Sequence, residues 1–293
     1  RSLDGWRMAW LDGSRSAHCK VNPEMNLKLL LAYDGTDFNG WQVQPDRRTV
    51  QGVLEEAIRD LTGEQPRLLC AGRTDAGVHA LGQVASLETR SRIPPEKWRP
   101  ALQVRLPRDL VIREVVEVGE TFHATYSAIS KRYRYLIHNS RVDDVMLRRH
   151  CWRVPLPLNV QSMQAAADRL LGTHDFRSFE TNWPNKATSV RTIKDLRVIR
   201  TDSGPFFQSQ SMLGNPASSA DGIREPEFIA IEIEADGFLY NMVRTITGTL
   251  VNVGRGTWTA DDVEGILKAQ DRKLAGDTSP AWGLYLVCVH YPE

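Results

Sequence analysis

The sequence predicts an α+β fold of two ferredoxin-like halves, their antiparallel and mixed sheets joined around a central cleft. Two observations carry this. Between Met25 and Val118 the hydrophobic period switches between about two and about 3.6 residues in the order β-α-β-β-α-β. After Pro155 and Pro157 the same outline returns, without a sequence repeat. Residues 25–150 are expected to form an N-terminal half, and residues 151–293 a C-terminal half.

Element by element, Leu27–Tyr33 alternates as a strand, and Asp34-Gly35-Thr36-Asp37 is a turn. Thr49 caps a helix whose apolar face is Val50, Val53, Leu54, Ala57, Ile58 and Leu61, ending at Gly63. Arg67–Cys70 and Gln83–Leu87 are strands around a glycine-rich loop. Pro94–Val104 is a helix with proline at its start, and Leu110–Val118 is a strand. Ile129–His138 is a strand that puts Tyr133 and Tyr135 on one face. Asn159 caps a helix with Met163, Ala166, Ala167, Leu170 and Leu171 on one face, stopped by Gly172. Val190–Arg200 and Phe228–Ala235 are paired strands, Phe238–Val253 and Ala260–Ala269 helices, and Leu284–His290 a closing strand. Residues 1–24 have no period and are expected to be a disordered extension or a mis-assigned start, with Met25 as the natural one. Residues 203–226, rich in Ser, Gly, Pro and Asn, are expected to form a long surface loop.

Composition narrows the function classes. The chain is 41% hydrophobic and 25% charged, enough for a sizeable core. No apolar run approaches the roughly 18–20 residues of a membrane-spanning helix. Cys19, Cys70, Cys151 and Cys288 contain no C-x-x-C pair, which predicts reduced cysteines and a cytoplasmic protein. A net charge of +1 argues against a strongly basic nucleic-acid binder. The 29 arginines against 8 lysines suit phosphate and base contact, or reflect a GC-rich coding sequence.

Chemistry concentrates in Ala71-Gly72-Arg73-Thr74-Asp75-Ala76-Gly77-Val78-His79-Ala80-Leu81-Gly82. Its glycines disfavour a helix and let a ligand approach backbone. Arg73 and Asp75 are two apart, so in an extended segment they face the same way and the guanidinium would keep the carboxylate ionised. An ionised carboxylate can serve as nucleophile or base. A second reading is open: a turn in which Asp75 caps its own backbone. Asp75 and His79 have the four-residue spacing of helical metal ligands, but Gly77 intervenes and no partner motif follows, so no metal is expected. Neither a P-loop nor G-x-G-x-x-G is present, and no cofactor is expected.

The run Gly72–His79 resembles the signature of TruA-type tRNA pseudouridine synthases. Further segments match in order: Tyr33–Thr36, Gly40-Trp41-Gln42, Thr49–Gly52 with Glu55, Phe122-His123-Ala124, Lys131–Tyr135, Asp175–Phe179, Met242-Val243-Arg244 and Gly283–Val287. The resemblance covers about 25–293. It implies an enzyme that breaks the bond from uracil N1 to the ribose, rotates the base and rejoins it through C5. It makes Asp75 the catalytic carboxylate, leaving open attack on the sugar, attack on the base, or proton abstraction. It implies that Arg73 holds the flipped nucleotide and pairs with Asp75, that Tyr133 stacks on the uracil, that Arg244 is an active-site arginine able to pair with Asp75, and that Leu284 lines the pocket. Spacing alone does not separate Tyr133 from Tyr135. The basic run Lys131, Arg132 and Arg134 is expected to touch RNA backbone. The central cleft would hold the RNA, with tRNA as partner, a homodimer as the assembly, and anticodon-arm positions 38 to 40 as targets.

Overall fold

The computed structural model describes residues 25–181, 188–201 and 227–292. The expectations for 1–24 and 203–226 fall outside the described residues. The first half runs β1 (Met25–Tyr33), α1 (Val50–Thr62), β2 (Leu69–Cys70), β3 (His79–Thr89), α2 (Pro95–Gln103) and β4 (Leu110–Val118). The second runs β5 (Ser130–His138), β6 (Trp152–Arg153), α3 (Val160–Asp168), β7 (Gly172–Asp175), β8 (Val190–Thr201), β9 (Phe228–Ala235), α4 (Met242–Gly254), α5 (Ala260–Ala269) and β10 (Leu284–His290).

The strands make one sheet in the order β4-β1-β3-β10-β5-β9-β8-β7, with β2 on β3 and β6 on β5. Divided by halves, this is β4-β1-β3-β2 beside β10-β5-β9-β8. Each half has its fourth, first, third and second principal strands in that order, the ferredoxin-like arrangement. The halves meet on β3. Its far end pairs with β2 (Leu69↔Ser86, Cys70↔Ala85). Its near end pairs in parallel with β10 (Tyr285↔His79, Leu286↔Ala80). The sheet is therefore mixed and continuous.

Alternation on the strands decides the layers. Leu27, Leu29, Leu31 and Tyr33 of β1, and Tyr133, Tyr135 and Ile137 of β5, are buried in one apolar cluster with the inner faces of the helices from both halves. Fully burying one such side chain contributes roughly 1.5–3 kcal/mol. In α1 the expected signals operate: the Thr49 hydroxyl accepts from the Gly52 N–H, and Gly63 ends the helix at φ 75°. Helix α4 is buried along almost its whole length. A Cβ on Gly248 would lie 1.9 Å from the Asp277 carbonyl oxygen, so only glycine lets that segment close over the helix.

Some boundaries differ from the sequence reading. β2 excludes Arg67 and β3 starts at His79, not Gln83. Helix α3 ends at Asp168 because the N–H groups of Arg169 and Leu170 turn to carbonyls three residues back. Leu171 is left exposed, and Gly172, at φ 96°, opens β7. Helix α4 starts at Met242 rather than Phe238, because Asn241 is left-handed at φ 63° and breaks the helical path. No helix among the described residues is long and apolar enough to cross a membrane.

Candidate active site

The loop from Ala71 to Val78 leaves β2 and returns to β3, and its backbone is tied to the β1–α1 connection. The Trp41 N–H donates to the Thr74 carbonyl at 3.0 Å, and the Gly77 N–H to the Phe38 carbonyl at 3.3 Å. The Thr74 hydroxyl meets the Tyr33 hydroxyl at 2.7 Å, and Gln83 Nε2 donates to the Gly72 carbonyl at 2.8 Å. A Cβ on Gly35 would lie 2.0 Å from the Val78 carbonyl oxygen, so the two loops touch backbone to backbone. The turn itself is closed by the Val78 N–H donating to the Asp75 carbonyl at 3.1 Å. The carboxylate of Asp75 takes no part in it, which removes the turn-capping reading and leaves the side chain for other work.

That carboxylate faces Arg244, with Nη1 3.5 Å from Oδ2. Arg244 is the third residue of α4; its Nε donates to the Ser279 carbonyl at 2.7 Å and its Nη1 to Asn241 Oδ1 at 2.8 Å. Burial pushes the Asp75 carboxyl above its ordinary value, and the charge and hydrogen bond of Arg244 pull it only partway back. The expected Arg73–Asp75 pair is not formed. Arg73 is exposed and makes no ion pair with Asp75 among the described residues, and the cation at the carboxylate comes from Arg244, 169 positions on. Proximity in sequence misled here because the loop is not an extended strand.

Asp75 and Arg244 open into a cavity of about 740 Å³, which Arg73, Lys131, Tyr133 and Leu284 also line. This is within the roughly 300–1,000 Å³ of small-molecule sites. Tyr133 is buried, packed edge-on against Phe238 with centroids 5.0 Å apart. Burial first, and Asp75 among nearby groups, hold its phenol far above the ordinary tyrosine value, so the ring is neutral at physiological pH. Tyr135, on the same face of β5, has its hydroxyl on the Pro280 carbonyl at 2.7 Å and is wholly buried. The structure thus separates the two tyrosines that spacing left equal: only Tyr133 reaches the cavity.

The basic run on β5 divides by strand alternation. Lys131 shares the face of Tyr133 and lines the cavity; burial lowers its ammonium from the ordinary lysine value, and no described residue hydrogen-bonds to it. Arg132 and Arg134 lie on the opposite face. Arg132 pairs with Glu234 at 2.6 Å and Asp195 at 3.2 Å, and Arg134 with Glu232 at 2.6 Å. Their charges are answered within the sheet, and Lys131 is the member of the run that lines the cavity.

His79 does not converge with Asp75. Its Nδ1 accepts from the Gly35 N–H at 3.0 Å, while Nε2 sits 3.0 Å from the Arg149 carbonyl and 3.1 Å from that of Trp282. With Asp34 and His150 it forms a cluster whose potential ligand atoms lie within 4.8 Å of one another. Both ring nitrogens of His79 are already engaged with backbone, so the cluster ties the halves together at the β3–β10 junction. Sequence reasoning missed Phe238, Tyr240 and Asn241 as cavity residues, because it ran helix α4 back to Phe238. Asp236-Gly237 before them was the available turn signal.

A family model described as tRNA pseudouridine synthase matches residues 30–127 and 166–292. The chain is 46% identical over 266 residues to a tRNA pseudouridine synthase A of Acetivibrio thermocellus, covering 91% of this chain and 99% of that one. It is 43% identical over 266 residues to a tRNA pseudouridine synthase A of Thermoanaerobacter sp. strain X514, with the same coverage of 91% and 99%. It is 45% identical over 267 residues to one of Moorella thermoacetica, covering 90% and 99%. A solved chain from a Cbf5-Nop10-Gar1 complex aligns over 76% of this chain and 54% of its own at 11% identity and a TM-score of 0.31, too slight a likeness to carry an argument.

Proposed function

The chain belongs to the tRNA pseudouridine synthase family, and from that premise we propose that it isomerises uridine to pseudouridine in tRNA with Asp75 as the catalytic carboxylate. The observation that carries the assignment to Asp75 is its position: among the described residues lining the cavity it is the one carboxylate, and Arg244 faces it. The reaction is an isomerisation, in which the N1 bond to the ribose breaks and a bond from C5 replaces it. A carboxylate without a metal suffices to start it, as nucleophile or as base.

A uridine stacked in a stem is out of reach, so the base is extruded at a cost of a few kcal/mol. In this reading the cavity receives it. The neutral Tyr133 ring stacks on the uracil, a contact worth roughly 1–3 kcal/mol. Leu284 supplies apolar wall, Arg244 holds the carboxylate, and Arg73 at the mouth holds the flipped nucleotide. Lys131 meets RNA phosphate; Arg132 and Arg134 are left out of that role because their partners are carboxylates of the sheet. The same reading takes anticodon-arm uridines 38 to 40 as targets, and has two copies of the chain share one tRNA in the cytoplasm.

The test is Asp75→Asn, which keeps size and removes the charge. Pseudouridine formation on anticodon-arm RNA, read by tritium release, is expected to fall at least about a thousandfold. Filter binding of tRNA is expected to stay within a few-fold, since affinity rests on phosphate contacts elsewhere. Near-parent activity of folded D75N would remove Asp75 from the chemistry.

A further inference from the structure

Asn241 stands where the chain enters α4. An asparagine at that position ordinarily accepts a backbone N–H of the first helical turn with its side-chain oxygen. Here the side chain caps no backbone group, and the residue is left-handed at φ 63°, one of three non-glycine residues with positive φ among those described. Its carboxamide goes elsewhere: Oδ1 accepts from Arg244 Nη1 at 2.8 Å, and Nδ2 donates to the Thr181 hydroxyl at 3.0 Å. The Nη1 it engages is the atom that faces Asp75. The other fixed point of the guanidinium is Nε on the Ser279 carbonyl. Two fixed points orient a planar group; with one, it swings about that bond.

We propose that Asn241 is a positioning residue, whose left-handed backbone turns its carboxamide into the cavity to aim the Arg244 guanidinium at Asp75. The proposal rests on Asp75 being the catalytic carboxylate. Strained backbone collects at functional sites where the surroundings enforce it. The strain here is not returned as a helix cap; it is matched by a bond to an arginine that faces the carboxylate. Asparagine is among the few residues with a side chain that tolerate this backbone. Since Arg244 opposes the upward push of burial on Asp75, a guanidinium released from Asn241 lets Asp75 protonate at higher pH.

Glycine makes the test sharp, because it adopts the left-handed conformation without strain and lacks only the carboxamide. N241G, D75N and the parent enzyme are assayed for pseudouridine formation across the pH range in which each stays folded. N241G is expected to lose on the order of tenfold or more in kcat, to keep KM within about threefold, and to show an acid limb moved to higher pH. Parent-like kcat, or a lower kcat with an unmoved acid limb, overturns the proposal. Where N241G does not fold, T181V removes the group that holds the carboxamide; it is expected to give a smaller loss with the same shift, and a parent-like pH profile overturns the proposal equally. A fully active D75N would sink the underlying reading, whereas a parent-like N241G beside an inactive D75N sinks the role of Asn241 alone.

Discussion

The two halves share a topology and use it differently. In each, a helix follows the third principal strand: α2 in the first half, α4 in the second. Helix α2 is entered through Pro94, in ordinary extended backbone, and its third residue, Lys97, points into solvent. Helix α4 is entered through left-handed Asn241, and its third residue, Arg244, is turned inward to Asp75. The first half makes its contribution instead in the connection between its second and third strands, where Asp75 sits. Duplicated architecture therefore supplies the scaffold, while each half places its charged group from a different point of the repeat.

The comparison breaks most easily at the matched pair. Arg244→Gln is expected to lower kcat on the order of a hundredfold and to move the acid limb of kcat upward. The sign follows from the geometry: Asp75 is already raised by burial, and losing its cation raises it further, so the ionised form is lost at higher pH as pH falls. Lys97→Gln is expected to leave activity unchanged and stability within about 0.5 kcal/mol. Comparable losses at both positions would erase the asymmetry.

A finer version lies within β5, whose two faces carry the same kind of charge. Lys131→Gln is expected to weaken tRNA binding and to reduce the slope of log affinity against log salt by about 1. Arg132→Met, on the ion-paired face, is expected to leave that slope unaltered and to cost about 1–3 kcal/mol in thermal unfolding, since Glu232, Glu234 and Asp195 lose their shared cation. A slope change for Arg132→Met would return the opposite face of the sheet to RNA contact.

How much of this was legible follows from range. The Thr49 cap, the 3.6-residue spacing of α1 and the alternation of β1 and β5 are local, and they appear as read. The ferredoxin-like order of each half followed from the sequence of elements. Asp75 was found through a motif and lies in the cavity. What spacing alone left undecided was set by residues far apart in the chain. Of the two arginines the resemblance offered as partners of Asp75, the distant Arg244 pairs with it and the adjacent Arg73 does not. Tyr133 and Tyr135 are told apart by distant residues: Tyr135 is packed against Gly283 with its hydroxyl on the Pro280 carbonyl. The start of α4 was hidden because a left-handed asparagine has no periodicity, while Phe238 and Leu239 imitate the helix that follows.

The pairing of β10 has a consequence for biosynthesis. The last of the described strands does not lie at an edge; it is inserted between β3 and β5, in the middle of the sheet. Until Leu284–His290 has been made, the strands on either side of that slot each have an open edge, and the cavity lacks Leu284 as a wall. The chain can assemble β4-β1-β3-β2 early, complete with the loop that carries Asp75. It cannot join that half through the sheet to the one that carries Arg244 before Leu284–His290 has been made. A message cut short anywhere upstream of Leu284 yields a protein with the Asp75 loop but no closed cavity, and with bare strand edges that invite capture by chaperones or proteases.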